Sequence, residues 1–192
     1  MDTIKVQELP FTIGNRKYLG SKKSIKTWIM DTIINSSGIP SSFLDGFCGT
    51  GTVSGEALSR GTENITAVDN LRVNTTILQA FYHCRTNERE IDELIAYLNS
   101  LKPYSGYITG HFADTYFTED NCRLMDAVRD EIENLFRAGE INSGLHTYLK
   151  ASFVLSADRV ANTIGQYDAY LKHIGSPVVE NGKHLVDMRV YS

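Results

Sequence analysis

Phe43-Leu44-Asp45-Gly46-Phe47-Cys48-Gly49-Thr50-Gly51 is the stretch on which the reading of this chain turns. Ser42–Phe47 reads as a strand. The glycines that follow form a loop, and a helix opens at about Thr52 and runs to Ser59. A strand that ends in glycines and starts a helix lets the backbone pass close to a ligand, and a side chain at Gly49 or Gly51 would block that approach. Arg60-Gly61-Thr62 closes the helix, and Asn64–Val68 reads as a second strand ended by Asp69-Asn70. Strand, loop, helix and strand in this order open a parallel α/β sheet.

Such a loop serves a dinucleotide or S-adenosylmethionine, or it is a plain tight turn. The dinucleotide fingerprint places a third glycine three residues after the second. Here Thr52, Val53 and Ser54 follow Gly51, and Gly55 comes one residue late. Asp45 before the loop would repel a pyrophosphate, whereas it would attract the cationic methionine end of S-adenosylmethionine. Asp69, at the end of the second strand, suits the ribose hydroxyls of either ligand.

Upstream lies Lys17-Tyr18-Leu19-Gly20-Ser21-Lys22. Gly20 permits an unusual backbone, Tyr18 offers a flat face and Lys22 a charge; alone, the segment also fits an ordinary basic loop before a helix. That helix is expected over Ser24–Ile34, with Ile25, Trp28, Ile29 and Ile33 on one face and Ser21 or Ser24 as its cap, until Gly38-Ile39-Pro40 breaks it. Downstream, helices are expected over about Arg72–Cys84, Glu88–Ser100, Asp120–Arg137 and Ser143–Leu155. From Gly175 the signal is loop-like, with a short strand at Leu185–Val190.

Composition bounds the class. The chain has 192 residues, 42% hydrophobic and 22% charged, as ordinary globular domains do. Its apolar runs fall short of a membrane span and no secretory signal is visible, which points to the cytoplasm. Cys48, Cys84 and Cys122 are odd in number and form no CxxC pair, so neither a zinc site nor a disulfide framework is expected. The net charge of −4 argues mildly against nucleic acid, yet Lys5, Arg16, Lys17, Lys22, Lys23 and Lys26 gather at the N-terminal end.

Taken together, Tyr18-Leu19-Gly20-Ser21-Lys22 and Asp45-Gly46-Phe47-Cys48-Gly49-Thr50-Gly51 resemble the opening of the Dam-like adenine-specific DNA methyltransferases. That family begins with an aromatic-x-Gly-x-Lys motif and continues with Asp-x-Phe-x-Gly-x-Gly. Val68-Asp69-Asn70 is similar to its next motif. Tyr116–Asn121, Asp126–Arg129, Ala157–Tyr167 and Tyr170–Lys172 are similar to later stretches, so the resemblance covers about 16–172. It implies an incomplete Rossmann-like class I methyltransferase sheet with a helical insert. The α/β core would comprise 1–86 and about 173–192, and the insert, a target-recognition region, 87–172.

The resemblance further implies S-adenosylmethionine held by Tyr18, Lys22, Asp45, Phe47, Gly49, Gly51 and Asp69, and double-stranded DNA as substrate in a restriction-modification setting. Arg16, Lys17 and Lys23 are candidates for phosphate contact. Arg159, Asn162 and Gln166, with Tyr167 beside them, are polar groups of the kind that read base edges, and they equally fit helix packing and capping. The family's Asp-Pro-Pro-Tyr motif does not occur: Pro10, Pro40, Pro103 and Pro177 are all isolated. No catalytic residue is therefore assigned. The expectation is a truncated or split enzyme, inactive alone, with a second chain carrying the motif. The alternatives are a non-catalytic cofactor- or DNA-binding module, or a methyltransferase for another substrate.

Overall fold

A computed structural model describes residues 20–83, 88–163 and 167–171. It is a mixed α/β structure, mostly helical, with one small parallel sheet. The chain divides into two compact units between Phe81 and Tyr82. The expected strand at Leu185–Val190 lies outside the described residues, as does Cys84.

The first unit begins with helix α1, Lys26–Ser37. It starts two residues later than the sequence suggests. Its N-cap is Ile25, which makes no side-chain cap bond, so neither Ser21 nor Ser24 caps it. Gly38 stops it at φ 75°, with its N–H donating to the Ile34 carbonyl. The expected apolar stripe is rotated: Met30 is buried, while Ile25 and Trp28 stand 41% and 67% exposed.

Strands β1 (Ser42–Asp45) and β2 (Asn64–Ala67) pair in parallel, Ser42 opposite Asn64 and Asp45 opposite Ala67. A parallel pair needs a crossover, and helix α2, Thr52–Ser59, supplies it. α2 ends in a glycine-dependent cap. The Gly61 N–H donates to the Leu58 carbonyl and the Thr62 N–H to the Ala57 carbonyl. With Gly61 at φ 98°, these satisfy carbonyls the helix leaves open. An ion-pair cluster fastens α1 to α2. Glu56, 8% exposed, takes Lys26 at 2.7 Å and Arg60 at 3.0 Å, and Arg60 reaches Asp31 at 3.0 Å. Helix α3, Arg72–His83, follows β2 and buries Ile77, Leu78 and Ala80.

The second unit consists of helices α4 (Glu88–Asn99), α5 (Tyr107–Phe112), α6 (Glu119–Arg137) and α7 (Ser143–Val160). Its main core sets Ile91 and Leu98 of α4 against Val128, Ile132 and Leu135 of α6 and Leu145 and Leu149 of α7. α6 and α7 begin on side-chain caps: Thr118 accepts from the Asn121 N–H and Asn142 from the Leu145 N–H. α7 runs through Val160, a turn beyond expectation, because Ala157 and Val160 pack with Ile108, Phe117, Cys122 and Met125.

α5 has no counterpart among the helices expected from the sequence. Its N-terminus rests on Asp126 of α6, a fully buried carboxylate that accepts from the Gly106 N–H at 2.9 Å and from the Ile108 and Thr109 N–H groups and the Thr109 hydroxyl, each at 2.8 Å. Burial pushes the Asp126 carboxyl up, and these hydrogen bonds outweigh it, holding the group below the ordinary carboxylate range. Gly106 is required here, since a Cβ would lie 2.8 Å from the Asp126 Cγ. Among the described residues, no helix is long and apolar enough to cross a membrane.

Candidate functional site

The glycine loop leaves the C-terminal end of β1 and enters the N-terminus of α2, beside the end of β2. Its conformation is set by a small number of bonds. The Asp45 carbonyl accepts from the Val68 N–H at 2.8 Å, and the Cys48 N–H returns to the Val68 carbonyl at 2.9 Å, extending the parallel ladder past both strands. The Gly51 N–H then closes a tight turn on the Cys48 carbonyl at 2.7 Å. Gly49 and Gly51 stand at φ 51° and 69°, in the region only glycine enters freely. The requirement at Gly51 is also one of packing: a Cβ there would lie 2.2 Å from Leu78 Cδ2 on α3. Glycine at 51 thus serves helix–loop contact whether or not a ligand is near.

The acids that bracket the loop are both held. Asp45 Oδ2 accepts from the Ser54 hydroxyl at 2.7 Å. Asp69 Oδ2 accepts from the Gly49 N–H at 2.8 Å, while its Oδ1 accepts from the Leu71 N–H at 2.8 Å and the Asn74 side-chain amide at 3.1 Å. Burial raises the Asp69 carboxyl, but the bonds from Leu71, Gly49 and Asn74 together outweigh it, so the group sits below its ordinary range. Asp69 therefore latches the loop to the start of α3, a role its place in the sequence does not disclose. A carboxylate offers about four acceptor positions. Three are occupied here, which leaves one acceptor position.

Cys48, 7% exposed, has its thiol pushed up to about 11 by burial and by the nearby Asp45 and Asp69 carboxylates. At that value it carries little thiolate near neutral pH. Phe47, by contrast, is 96% exposed at the tip of the loop.

The structure thus brings Asp45, Phe47, Gly49, Gly51 and Asp69 into one place. Of the upstream motif, Gly20 adopts φ 80° and the Lys22 ammonium donates back to the Gly20 carbonyl at 2.7 Å; Lys23 is exposed. Arg16, Lys17 and Tyr18 lie outside the described residues, as does Gln166. Arg159 is exposed in the last turn of α7. Asn162 is 8% exposed, and its side-chain amide donates to the Thr115 carbonyl at 2.9 Å and the Leu171 carbonyl at 2.7 Å. Both amide hydrogens are thereby used in joining two chain segments, and neither is turned to a base edge. Ser54 and Asn74, both 1% exposed, are not marked out by any sequence motif.

A family model described as Conserved hypothetical protein 95 matches residues 19–141. The chain belongs to that family. The Type II methyltransferase M.NlaIII of Neisseria lactamica is 31% identical over 168 residues, covering 82% of this chain and 49% of the relative. The Type II methyltransferase M.CviAII of Paramecium bursaria Chlorella virus 1 is 30% identical over 164 residues, 81% of this chain and 49% of the relative. The Modification methylase LlaI of Lactococcus lactis subsp. lactis is 29% identical over 171 residues, 81% of this chain and 27% of the relative. The Dam-like methyltransferase resemblance read from the motifs agrees with these findings. The chain spans about half the length of the first two relatives and less of the third. No solved structure matches it.

Proposed function

We propose that this chain carries the S-adenosylmethionine site of a Rossmann-like DNA methyltransferase acting on the exocyclic amine of adenine in double-stranded DNA, in a cytoplasmic restriction-modification system. The observation that carries the reading is the loop itself: a left-handed Gly49-Thr50-Gly51 turn between two parallel strands, with a carboxylate fixed on either side. The donor set fits the cofactor. Asp45 keeps its Oδ1 without a hydrogen bond among the described residues, and a carboxylate so placed attracts an ammonium and repels a pyrophosphate. The one acceptor position left on Asp69 suits a ribose hydroxyl. Phe47, exposed beside the loop, offers an apolar face. Gly49 and Gly51 admit the cofactor chain close to the backbone, and Tyr18 and Lys22 complete the binding set by the family pattern. The cofactor supplies an electrophilic methyl group; the chain's own residues bind it, orient it and neutralise its cationic end.

In this reading the helices from α4 to α7 form a target-recognition region. Arg16, Lys17, Lys23 and Arg159 contact DNA there and at the N-terminal segment, and Gln166 reads a base edge. Methyl transfer needs the adenine amine held in line with the methyl group, and fixed orientation of this kind lowers a barrier by several kcal/mol. The 192 residues contain no pair of adjacent prolines and so no Asp-Pro-Pro-Tyr motif. These 192 residues therefore do not themselves supply the group that would hold the adenine amine.

Titration calorimetry with S-adenosylhomocysteine and with NAD tests the cofactor. Tighter binding of S-adenosylhomocysteine supports the reading, and tighter binding of NAD overturns it. Incorporation of labelled methyl groups into unmethylated DNA tests the rest. Transfer to the adenine amine supports the reading, and binding of S-adenosylhomocysteine without any transfer would favour a non-catalytic module.

A further inference from the structure

The acids at the glycine loop do not hold themselves in place. Ser54 and Asn74 are both 1% exposed, and each gives a side-chain hydrogen to one of those acids. Helical serines and threonines usually bond a carbonyl one turn back. Thr147 donates to the Ser143 carbonyl and Ser156 to the Ser152 carbonyl, whereas Thr109, like Ser54 the third residue of its helix, donates to the Asp126 carboxylate. Ser54 departs from that habit. Its one hydroxyl hydrogen crosses the loop to Asp45 Oδ2 at 2.7 Å, restraining the carboxylate's rotation and leaving Oδ1 without a hydrogen bond among the described residues. Asn74, in the first turn of α3, gives an amide hydrogen to Asp69 Oδ1, which turns Oδ2 toward the Gly49 N–H.

We propose that Ser54 and Asn74 are positioning residues of the cofactor site: Ser54 aims the Asp45 carboxylate at the amino-acid end of the bound ligand, and Asn74 aims Asp69 at its ribose. This rests on the S-adenosylmethionine reading above and assigns each buried group to a different part of the ligand. Helix packing alone would give the two residues no such division.

The division is measurable with two probes. S-adenosylhomocysteine carries both the amino-acid end and the ribose, whereas 5′-methylthioadenosine lacks the amino-acid end. Ser54→Ala is expected to weaken S-adenosylhomocysteine about tenfold, the scale of one lost hydrogen bond to a charged group, and to leave 5′-methylthioadenosine unchanged. Asn74→Ala is expected to weaken both probes alike. Thermal melting checks that each variant is folded; if Ser54→Ala melts, Ser54→Cys keeps nearly the same volume with a much weaker donor. Equal loss of both probes in the Ser54 variant would reduce Ser54 to a structural residue, and unchanged binding in folded variants would overturn the proposal. A wild-type chain that binds neither probe fails the S-adenosylmethionine reading itself. A wild-type chain that binds both, with variants indistinguishable from it, fails only this inference.

Discussion

Gly51→Ala probes the loop where its geometry is tightest. A non-glycine residue at φ 69° costs about 1–2 kcal/mol from Cβ crowding alone. The new Cβ would lie 2.2 Å from Leu78 Cδ2, where carbon atoms in contact keep about 3.5–4.0 Å. Leu78 is 6% exposed and cannot swing freely into solvent. Overpacking of this sort costs about 1–3 kcal/mol, so the substitution should cost about 2–5 kcal/mol in all. Leu78→Ala alone should cost a similar amount by leaving a cavity. The double variant is the decisive one. Removing the Leu78 branch removes the clash, and the methyl group added at position 51 fills part of the space, so the two losses should fall short of adding by about 1–3 kcal/mol. The assay is denaturant unfolding followed by the fluorescence of Trp28, the chain's one tryptophan, which lies on α1 of the same unit. Additive losses, or a Gly51→Ala cost below about 1 kcal/mol, would refute the packing argument.

Glu56→Gln should destabilise the first unit by about 1–3 kcal/mol, the lower figure following from the exposure of about a third on Lys26 and Arg60. The Lys26 hydrogen bond, helped by Arg60, holds the Glu56 carboxyl below its ordinary value, so its stabilisation is present above the unfolded-state pKa and lost as pH falls through the lower folded value; parallel acid unfolding of the wild type and the variant would contradict this. Asp126→Asn should cost about 2–4 kcal/mol, since a side-chain amide cannot accept all that Asp126 accepts, and the loss should register as faster amide exchange at Gly106, Ile108 and Thr109. Unaltered exchange at those amides would show that α5 does not depend on the carboxylate. Asp69→Ala should weaken S-adenosylhomocysteine by about 1–3 kcal/mol, checked by calorimetry; unchanged affinity in a folded variant would leave Asp69 as a latch only.

What the sequence makes legible is local. β1, the loop, α2 and β2 follow from glycines, apolar runs and turn residues within about 25 positions of one another, and their order alone implies a parallel pair. α6 and α7 carry their own caps at Thr118 and Asn142. What stays hidden depends on partners far along the chain. α5 is six residues long with Gly110 inside it, a poor helix by propensity, and it exists because Asp126 meets its N-terminus from α6. α1 reads as amphipathic along Ile25 and Trp28, but its buried side is centred on Met30. Asn162 has the spacing of a helix-borne reader, and only the placement of Thr115 and Leu171 around it shows its amide facing inward.

The same limit applies within the site. Asp45, Gly49, Gly51 and Asp69 are readable because their spacing is short and chemically distinctive. Gly51 and Asp69 also carry structural duties that spacing cannot express: Gly51 admits Leu78, and Asp69 ties Gly49 to Leu71 and Asn74. A ligand that took up the remaining acceptor position of Asp69 would bond to the same carboxylate that sets the loop's left-handed turn. Ligand contact and loop geometry are thus coupled through one side chain. Asn74, one of the groups that keep that side chain in place, is buried in α3 and marked by no motif.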